Sequence, residues 1–254
     1  MNPDSSPSAA VPAFQEPPVA SALRLLWKLT GRKRSLDRYL TTFLGYRQFL
    51  PVLPGEMLIP GFADSEIVIT CPPVGPWATP ANDTIAVLKA VKGFDSRRIL
   101  EIGSYKGTTA RLIARNTHPD ARIFALDIDP EHGSAYRGMP EEAKIQRIVG
   151  RSELENAAPH GPYDLIFIDG DHSRKGAYLD SVVALELLTD DGVILWHDYH
   201  NNSYFVHRSG AVPEALRLVR DSLGIPVVSL EGTMIAMHSR KPGWETGEKL
   251  KVES

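Results

Sequence analysis

The sequence predicts an α/β protein with a Rossmann-like, mostly parallel, seven-stranded sheet and helices on both faces of it. Two observations lead to this prediction. From Arg98 onward, short apolar runs alternate with helical stretches, which is the order typical of a parallel sheet covered by helices. The chain of 254 residues is also long enough for one well-buried domain with an extension, but short for two full domains.

Seven short apolar runs are the predicted strands. A helical stretch over 110–114 follows the first run, the strand–helix order then recurs, and no internal repeat is visible. The predicted strands are 99–102, 122–126, 145–149, 165–168, 193–196, 226–230 and 234–238.

An N-terminal extension precedes this region. Residues 1–20 are rich in Pro, Ser and Ala and carry few large apolar side chains, so we expect a disordered tail. Residues 21–50 predict two helices broken near Gly31. Residues 51–80 hold many of the prolines and predict a connector or a cap over the site.

The predicted organisation is therefore a tail, a helical extension with a cap (21–80), a cofactor-binding domain (81–240) and a C-terminal tail (241–254). A basic cluster, Lys28 and residues 32–34, lies between the two expected helices. It could contact a membrane surface or an anionic substrate, but a short charge run is more often a solvated turn, and we favour the turn.

The composition is that of an ordinary globular protein. With 43% hydrophobic and 23% charged residues and a formal net charge of −3, there is no electrostatic reason to expect a nucleic acid partner. No apolar run approaches the roughly 18 to 20 residues that span a bilayer. The N-terminus lacks the charged-then-apolar order of a secretory signal, so we expect a cytoplasmic protein.

The single cysteine, Cys71, excludes an intramolecular disulfide and favours a reducing compartment. It has no His or Lys beside it in the sequence, as an activated thiolate would need. We therefore expect a packing or incidental role for it rather than a nucleophilic one.

A glycine turn follows the first predicted strand. The strand ends in Glu101, and a Gly-x-x-x-Gly turn from Gly103 to Gly107 then leads into a helix. Glycines let the backbone turn sharply at the carboxyl end of a strand, where open α/β sheets bind ligands. The turn lacks the Gly-x-Gly-x-x-Gly spacing of dinucleotide binders, which favours a cofactor without a pyrophosphate.

A second acid supports a cofactor site. Asp127 ends the next strand, about two dozen residues after Gly103, which is a spacing at which an acid can bind the hydroxyls of a ribose. The alternative is that an Asp caps a helix before Pro130. Asp129 suits that capping role better and leaves Asp127 for the cofactor.

Polar groups also end the third, fourth and fifth strands. Ser152 could bond an adenine or cap a helix, and both readings stay open. The later groups are Asp169, Asp171 and His172 after strand four, and His197 and Asp198 after strand five. Acids and imidazoles at adjacent carboxyl ends are hard to explain by packing alone and indicate a site.

These blocks, in order over roughly residues 80–240, resemble class I S-adenosylmethionine-dependent methyltransferases, and in particular the metal-assisted O-methyltransferases. Residues 167–172 and 192–199 are similar to the branch that includes macrolide-sugar O-methyltransferases and cephalosporin-hydroxylase-like proteins. Residues 101–107 also resemble catechol O-methyltransferase.

The resemblance implies a role for each matching residue. It implies S-adenosylmethionine as the cofactor, with Asp127 on the ribose, Ser152 on the adenine, and Asp169 both lining the cofactor site and binding a metal. The other residues expected to line the cofactor site are Glu101, Gly103, Ser104, Tyr105, Gly107 and Thr109. The remaining metal positions fall on His197 and Asp198.

His197 departs from the family pattern, because relatives carry a carboxylate there. Magnesium prefers oxygen ligands, whereas imidazole suits manganese, iron or zinc. Three alternatives stay open: the metal differs from magnesium, His197 is not a ligand, or metal binding has been lost.

The resemblance implies O-methylation of a small-molecule hydroxyl assisted by a divalent cation, magnesium or manganese. His172 matches the general-base position, and an unperturbed imidazole has a suitable pKa. The alternative for His172 is a solvent-facing residue at a helix N-terminus. No role is expected for His132 or for the histidines at 118, 160, 207 and 238.

Two other functions remain open from the sequence. A nicotinamide oxidoreductase would share the sheet and the ribose acid, but the missing third glycine disfavours it. A non-catalytic cofactor-binding scaffold would share the whole fold. The acceptor is not readable from the sequence. Its pocket is expected among residues 21–80 and 199–210, and the N-terminal helices could pair subunits into a homo-oligomer.

Overall fold

The computed structural model of the chain describes residues 49–75, 77–199 and 211–244. Several sequence predictions lie outside these residues. They are the tail at 1–20, the two helices before residue 49, the pairing of subunits through those helices, the loop from 200 to 210, and the C-terminal tail beyond residue 244.

The described residues form strands and helices in an alternating order. The strands are β1 (Val52–Leu53), β2 (Arg98–Ile102), β3 (Arg122–Asp127), β4 (Ile145–Val149), β5 (Tyr163–Ile168), β6 (Leu188–Trp196), β7 (Val228–Leu230) and β8 (Ala236–Ser239). The helices are α1 (Gly55–Leu58), α2 (Ala81–Gly93), α3 (Thr108–Asn116), α4 (Leu154–Ala157), α5 (Arg174–Leu187) and α6 (Ala211–Leu223), with 3-10 turns at Pro140–Lys144 and Ala158–His160.

The strands form one sheet in the order β1-β7-β8-β6-β5-β2-β3-β4. All described neighbours run parallel except β8, which is antiparallel to β6 and β7. The predicted mostly parallel α/β sheet is confirmed. Among the described helices, none is both long and apolar enough to cross a membrane.

The expected count of seven strands is wrong, because the described sheet has eight. The additional strand, β1, lies in the segment expected to be a connector and adds to β7 at the sheet edge. It is held by backbone hydrogen bonds from Ser229 to Pro51 and from Glu231 to Leu53, 2.7 and 3.0 Å long. A two-residue strand is too short to show the period-two pattern that identifies strands.

Strand β6 begins earlier than the sequence indicates. It starts at Leu188, which pairs with Tyr163, and its register shifts before Val193 pairs with Leu165. Residues 189–192 between these pairs are polar or glycine, and such residues are typical of turns. The pairing to β5, rather than local preference, keeps them in the strand.

Hydrophobic cores cover both faces of the sheet because successive strand residues point to opposite sides. On one face, Leu100 and Ile166 belong to the core that includes side chains of α5 and α6. On the other face, Ile99 and Leu165 belong to the core that includes side chains of α2 and α3. The central strands β2 and β5 are thus buried on both faces, as expected for a parallel sheet.

The strand order reverses beside β2. The chain runs outward through β2, β3 and β4, and then returns to place β5 on the other side of β2. In open α/β sheets such a reversal opens a crevice at the carboxyl ends of the strands, and ligands bind there. The topology therefore places the candidate site at the ends of β2 and β5.

Candidate active site

An open cavity of about 1720 Å³ lies at this crevice. Its walls come from the ends of β2, β3, β5 and β6 and from the segment that leads into α2. The predicted site residues that line it are Glu101, Gly103, Ser104, Tyr105, Thr109, Asp127, Ser152, Asp169, His172, His197 and Asp198. The topology thus brings these residues, separated by up to almost a hundred positions, to one cavity.

Gly107 is the predicted site residue that is not part of the cavity wall. It precedes α3 with φ +80°, and a Cβ atom there would lie 2.3 Å from Cε1 of Tyr136. A glycine at this position is explained by the left-handed backbone conformation and by the close packing of the Tyr136 ring.

Gly103 forms the sharp turn at the end of β2. Its φ is +89°, and a Cβ atom would lie 2.3 Å from the carbonyl oxygen of Asp169. Its backbone nitrogen donates to Leu126 O at 2.9 Å. Glycine is required here because the turn passes directly against the end of β5.

Asp127 accepts hydrogen bonds that organise the turn. Its Oδ2 accepts from the backbone nitrogen of Tyr105 at 2.7 Å, and its Oδ1 accepts from that of Asp129 at 3.0 Å. The Nδ1 of His132 lies 2.8 Å from the same Oδ1, and its ring stands edge-on to Tyr105. His132 therefore belongs to this site, contrary to the expectation of no role, and nothing in its local sequence signals that contact.

The expected helix cap before Pro130 is wrong. The residues after Asp129 form a turn rather than a helix, in which Asp129 Oδ1 accepts from the backbone nitrogen of Glu131 at 2.8 Å. An Asp followed by Pro serves a turn as well as a helix start, so the local sequence does not distinguish them.

Glu101 is a buried carboxyl at the floor of the cavity. Burial, with the Asp169 and Asp127 carboxylates nearby, raises the pKa of Glu101 to about 8. Its Oε2 has no hydrogen-bond partner among the described residues. A buried acceptor without a partner is costly in a folded protein, which indicates that a ligand donates to it.

Ser152 does not cap a helix, because the residue before α4 in the N-cap position is Glu153. Instead, the Ser152 hydroxyl donates to Oδ1 of Asp180 on α5. Asp180 is buried and lines the cavity, and burial raises its pKa to about 6. The sequence analysis did not identify Asp180 as a site residue. It lies within a helix, and its partner Ser152 is 28 positions earlier in a loop, so no local pattern connects the two.

Asp169, His172, His197 and Asp198 form a compact cluster. One ligand atom from each lies within 4.8 Å of the others. His172 Nε2 is 2.8 Å from Asp198 Oδ2 and 3.3 Å from Asp169 Oδ1. His197 Nδ1 is 3.0 Å from Asp169 Oδ1 and 3.6 Å from Asp198 Oδ1. Two carboxylates and two imidazoles are a donor set that suits a divalent transition metal.

The charges in the cluster depend on one another. Burial disfavours the ionised form of Asp169, but the neighbouring imidazoles of His197 and His172 hold its pKa well below the usual range. Burial also disfavours a charged His172, but hydrogen bonds to Asp169 and Asp198 raise the pKa of His172 to about 10. The His172 side chain is 31% exposed and its Nε2 contacts both carboxylates, so the alternative that it simply faces solvent is not what the structure shows; Ser173 rather than His172 caps α5.

Asp198 has a backbone conformation that is unusual for a non-glycine residue. Its φ is +62°, and it is the second residue after the end of β6. Strain of this kind collects at functional sites. Asp171, by contrast, is not among the four clustered residues, and its carboxylate accepts from the backbone and hydroxyl of Ser173 at 2.8 and 2.9 Å.

Two further residues contact the cluster, and the sequence did not signal either. Thr79 donates to Asp169 Oδ2 at 3.3 Å and lies 3.4 Å from the hydroxyl of Thr109. Asp83, in the first turn of α2, places Oδ2 3.0 Å from His197 Nε2. Neither residue lies at the end of a strand, whereas the sequence motifs that predicted the site all lie at strand ends.

Residues 100–199 match a family model described as a methyltransferase domain. This stretch, from Leu100 in β2 to Tyr199, is therefore similar in sequence to methyltransferase domains. The matched residues include Glu101, Gly103, Asp127 and the four residues of the Asp–His cluster. The matched segment thus contributes most of the polar residues that line the cavity.

Part of the chain is also similar in sequence to curated O-methyltransferases. A catechol O-methyltransferase of Mycobacterium tuberculosis is 30% identical over 95 residues, which cover 35% of this chain and 43% of that protein. The chain spans about half the length of the curated relatives it matches, between 42% and 54% of each.

Two solved structures resemble this chain in fold. An S-adenosylhomocysteine-bound methyltransferase of Podospora anserina has a TM-score of 0.52 and 17% identity, covering 90% of this chain and 98% of that one. An O-methyltransferase of Streptomyces achromogenes involved in tomaymycin synthesis, in complex with S-adenosylmethionine, has a TM-score of 0.50 and 17% identity, covering 83% and 97%. These likenesses show the fold.

Proposed function

We propose that this protein is an S-adenosylmethionine-dependent O-methyltransferase that methylates a hydroxyl of a small molecule with the help of a divalent metal. The observation that carries the proposal is the meeting of two features in one cavity. The Gly103 turn with Asp127 and the cluster of Asp169, His172 and Asp198 share the cavity at the strand reversal. One feature suits a nucleoside cofactor and the other suits a metal-held oxygen.

The residues present fit the cofactor. Asp127 would bind the ribose hydroxyls, since Oδ2 has a single described hydrogen bond and can accept another. The unpartnered Oε2 of Glu101 would accept from the methionine amino group. Ser152, bonded to Asp180, would keep its acceptor lone pairs for the amino group of the adenine.

The residues present also fit a metal. Asp169 and Asp198 would supply carboxylate oxygens, and His197 would supply a nitrogen, which favours manganese, iron or zinc over magnesium. The ion would bind the acceptor oxygen and lower the pKa of its hydroxyl.

His172 would act as the general base. Its Nε2 lies 2.8 Å from Asp198 Oδ2 and 3.3 Å from Asp169 Oδ1, and these two carboxylates favour a proton on it. If both carboxylates held a metal, His172 Nε2 would be available to accept the proton of the acceptor hydroxyl. The sulfonium of the cofactor supplies an already activated methyl group, so the protein has to align the acceptor and exclude water.

The acceptor would be small and at least partly apolar. Val74 and Trp77, on the segment before α2, line the cavity although they are 74% and 62% exposed. Exposed apolar side chains at a cavity rim suit a ring or an alkyl group of a ligand. This agrees with the expected cap in residues 51–80, which stays a prediction.

Other readings are weaker. A nicotinamide oxidoreductase would need a pyrophosphate close to the acidic groups at Asp169 and Asp198, which would repel it. A non-catalytic scaffold would not require the Asp–His cluster. We further propose a cytoplasmic location on the strength of the single cysteine, whereas the absence of a nucleic acid partner and pairing through the N-terminal helices remain predictions.

Calorimetric titration of the metal-stripped protein with S-adenosylmethionine tests the proposal. We expect binding that weakens by about tenfold to a hundredfold in Asp127→Ala, because hydrogen bonds to a charged group contribute roughly 1.5 to 3 kcal/mol. Asp120→Ala is the matched control, since the Asp120 side chain is 81% exposed. Wild-type protein that binds no cofactor, with or without manganese, would rule out the methyltransferase proposal. Cofactor binding without any metal binding would favour the scaffold.

A further inference from the structure

Asp83 is a fully buried carboxylate behind the Asp–His cluster. It lies in the first turn of α2 and is 0% exposed. Its Oδ2 lies 3.0 Å from His197 Nε2, and its Oδ1 accepts a hydrogen bond from the backbone nitrogen of Met234 at 3.0 Å. An acid in the first turn stabilises a helix from an exposed position as well, so helix stability does not explain why this one is buried.

The two bonds of Asp83 fix the orientation of the His197 ring. The Met234 nitrogen holds Oδ1, which leaves Oδ2 to face Nε2 of His197. A carboxylate only accepts, so Nε2 must carry the hydrogen of this bond. The other ring nitrogen, Nδ1, then points at the cluster, 3.0 Å from Asp169 and 3.6 Å from Asp198.

We propose that Asp83 is a positioning residue that holds His197 as a metal ligand through Nδ1. The inference rests on the proposed function in that it assumes a metal at the Asp–His cluster. A metal-binding histidine commonly donates its second N–H to a carboxylate, which sets the tautomer and makes the ligand more basic. Asp83 and His197 are 114 residues apart in the sequence, so the tertiary fold brings the two side chains into this arrangement.

The variant Asp83→Asn tests the tautomer with little change in shape. Its Oδ1 can keep the hydrogen bond from the Met234 nitrogen, so its amide nitrogen would face His197 Nε2 and donate to it. His197 would then carry its hydrogen on Nδ1, the atom that faces the cluster. A protonated Nδ1 cannot bind a metal, so in Asp83→Asn the hydrogen on Nδ1 would prevent His197 from acting as a metal ligand.

Zinc is the probe, because it is diamagnetic and accepts imidazole. In calorimetric titrations of the full chain we expect Asp83→Asn to bind zinc about 10- to 100-fold more weakly than wild type, the range typical of such second partners. Binding of S-adenosylmethionine without zinc should change by less than about twofold, because Asp83 does not line the cavity. Equal zinc affinity in the two proteins would overturn the proposal.

Asp95→Asn is the matched control, because it makes the same change beyond the other end of α2. Asp95 is exposed and pairs with Arg97, and its φ of +45° suits asparagine. We expect its zinc affinity to equal that of wild type. An equal loss in Asp95→Asn would mean that net charge, rather than the His197 tautomer, sets the affinity, and would also overturn the proposal.

A nitrogen-15 NMR spectrum of the zinc-loaded wild-type protein provides a readout that does not depend on the folding of Asp83→Asn. We expect the His197 signals, assigned by their loss in His197→Gln, to show a protonated Nε2 and a zinc-bound Nδ1. Zinc on Nε2, or His197 signals that zinc leaves unchanged, would overturn the proposal. A failure to bind S-adenosylmethionine would instead count against the proposed function. The zinc titrations would still test the role of Asp83, because they do not require the cofactor.

Discussion

The hydroxyl oxygen of Tyr199 lies 2.9 Å from the backbone nitrogen of Leu50 and accepts its hydrogen bond. It also accepts from the backbone nitrogen of Phe49 at 3.0 Å, and the two rings pack edge to face. Tyr199 directly follows Asp198 of the Asp–His cluster. The segment that leads into the edge strand β1 is therefore hydrogen-bonded to Tyr199, the residue after the candidate metal ligand Asp198.

Removing this hydroxyl should destabilise the fold. In Tyr199→Phe, the Leu50 and Phe49 nitrogens lose their shared acceptor, and a buried donor without a partner costs about 1–3 kcal/mol. Urea denaturation measures the loss. Tyr136→Phe is the control, because the Tyr136 hydroxyl is buried and has no partner among the described residues. It should be neutral or slightly stabilising, and an equal loss in both variants would show that the Tyr199 hydrogen bonds contribute nothing.

Gly103→Ala should cost more than a left-handed backbone alone explains. Alanine at φ +89° brings strain of about 1–2 kcal/mol, and its Cβ would also meet the Asp169 carbonyl, adding an overpacking cost of about 1–3 kcal/mol. Gly138→Ala isolates the strain, because Gly138 has φ +73° and nothing within 4 Å of its Cβ position. Thermal denaturation compares them. The prediction is wrong if the two variants lose equal stability.

The buried Glu101 should make the free protein less stable as pH rises. Its folded pKa of about 8 exceeds its ordinary 4.5, so the folded state binds more protons than the unfolded state between those pH values. Glu101→Gln, which mimics the protonated carboxyl, should match wild type near pH 4.5 and exceed its free energy of unfolding by a few kcal/mol, on the order of 3, at pH 7. A difference between the two that does not vary with pH would contradict the assignment.

Asp180 should show the same behaviour in a lower pH window. Its pKa is raised by burial from 3.8 to about 6, so wild type should lose stability between these pH values relative to Asp180→Asn. The variant keeps an oxygen that can accept from Ser152 and should be more stable by roughly 3 kcal/mol above pH 6. Urea denaturation from pH 4 to 8 measures the difference, which should become level above pH 6. A difference that kept growing up to pH 8 would point to another group.

Much of the fold could be predicted from local patterns. Buried parallel strands appear as continuous apolar runs, so β2 and β3 were predicted to within one residue at each end. The errors lie where pairing overrides local preference, as in the polar start of β6 and the two-residue strand β1. A pattern of period two needs more than two residues to be seen.

The candidate site divides in the same way. Gly103, Asp127, Asp169 and Asp198 follow strand ends, and parallel strands bring their carboxyl ends to one edge, so the sequence by itself determined that these residues meet. Only the tertiary structure decided that Asp83, Thr79 and His132 join them. The physical reason is that Asp83 and Thr79 acquire a role through partners far away in the sequence, and the His132 contact depends on the shape of a turn, and periodicity shows neither. Asp83 shows this most clearly, because a carboxylate in the first turn of a helix has a sufficient local explanation until the fold buries it 3.0 Å from His197.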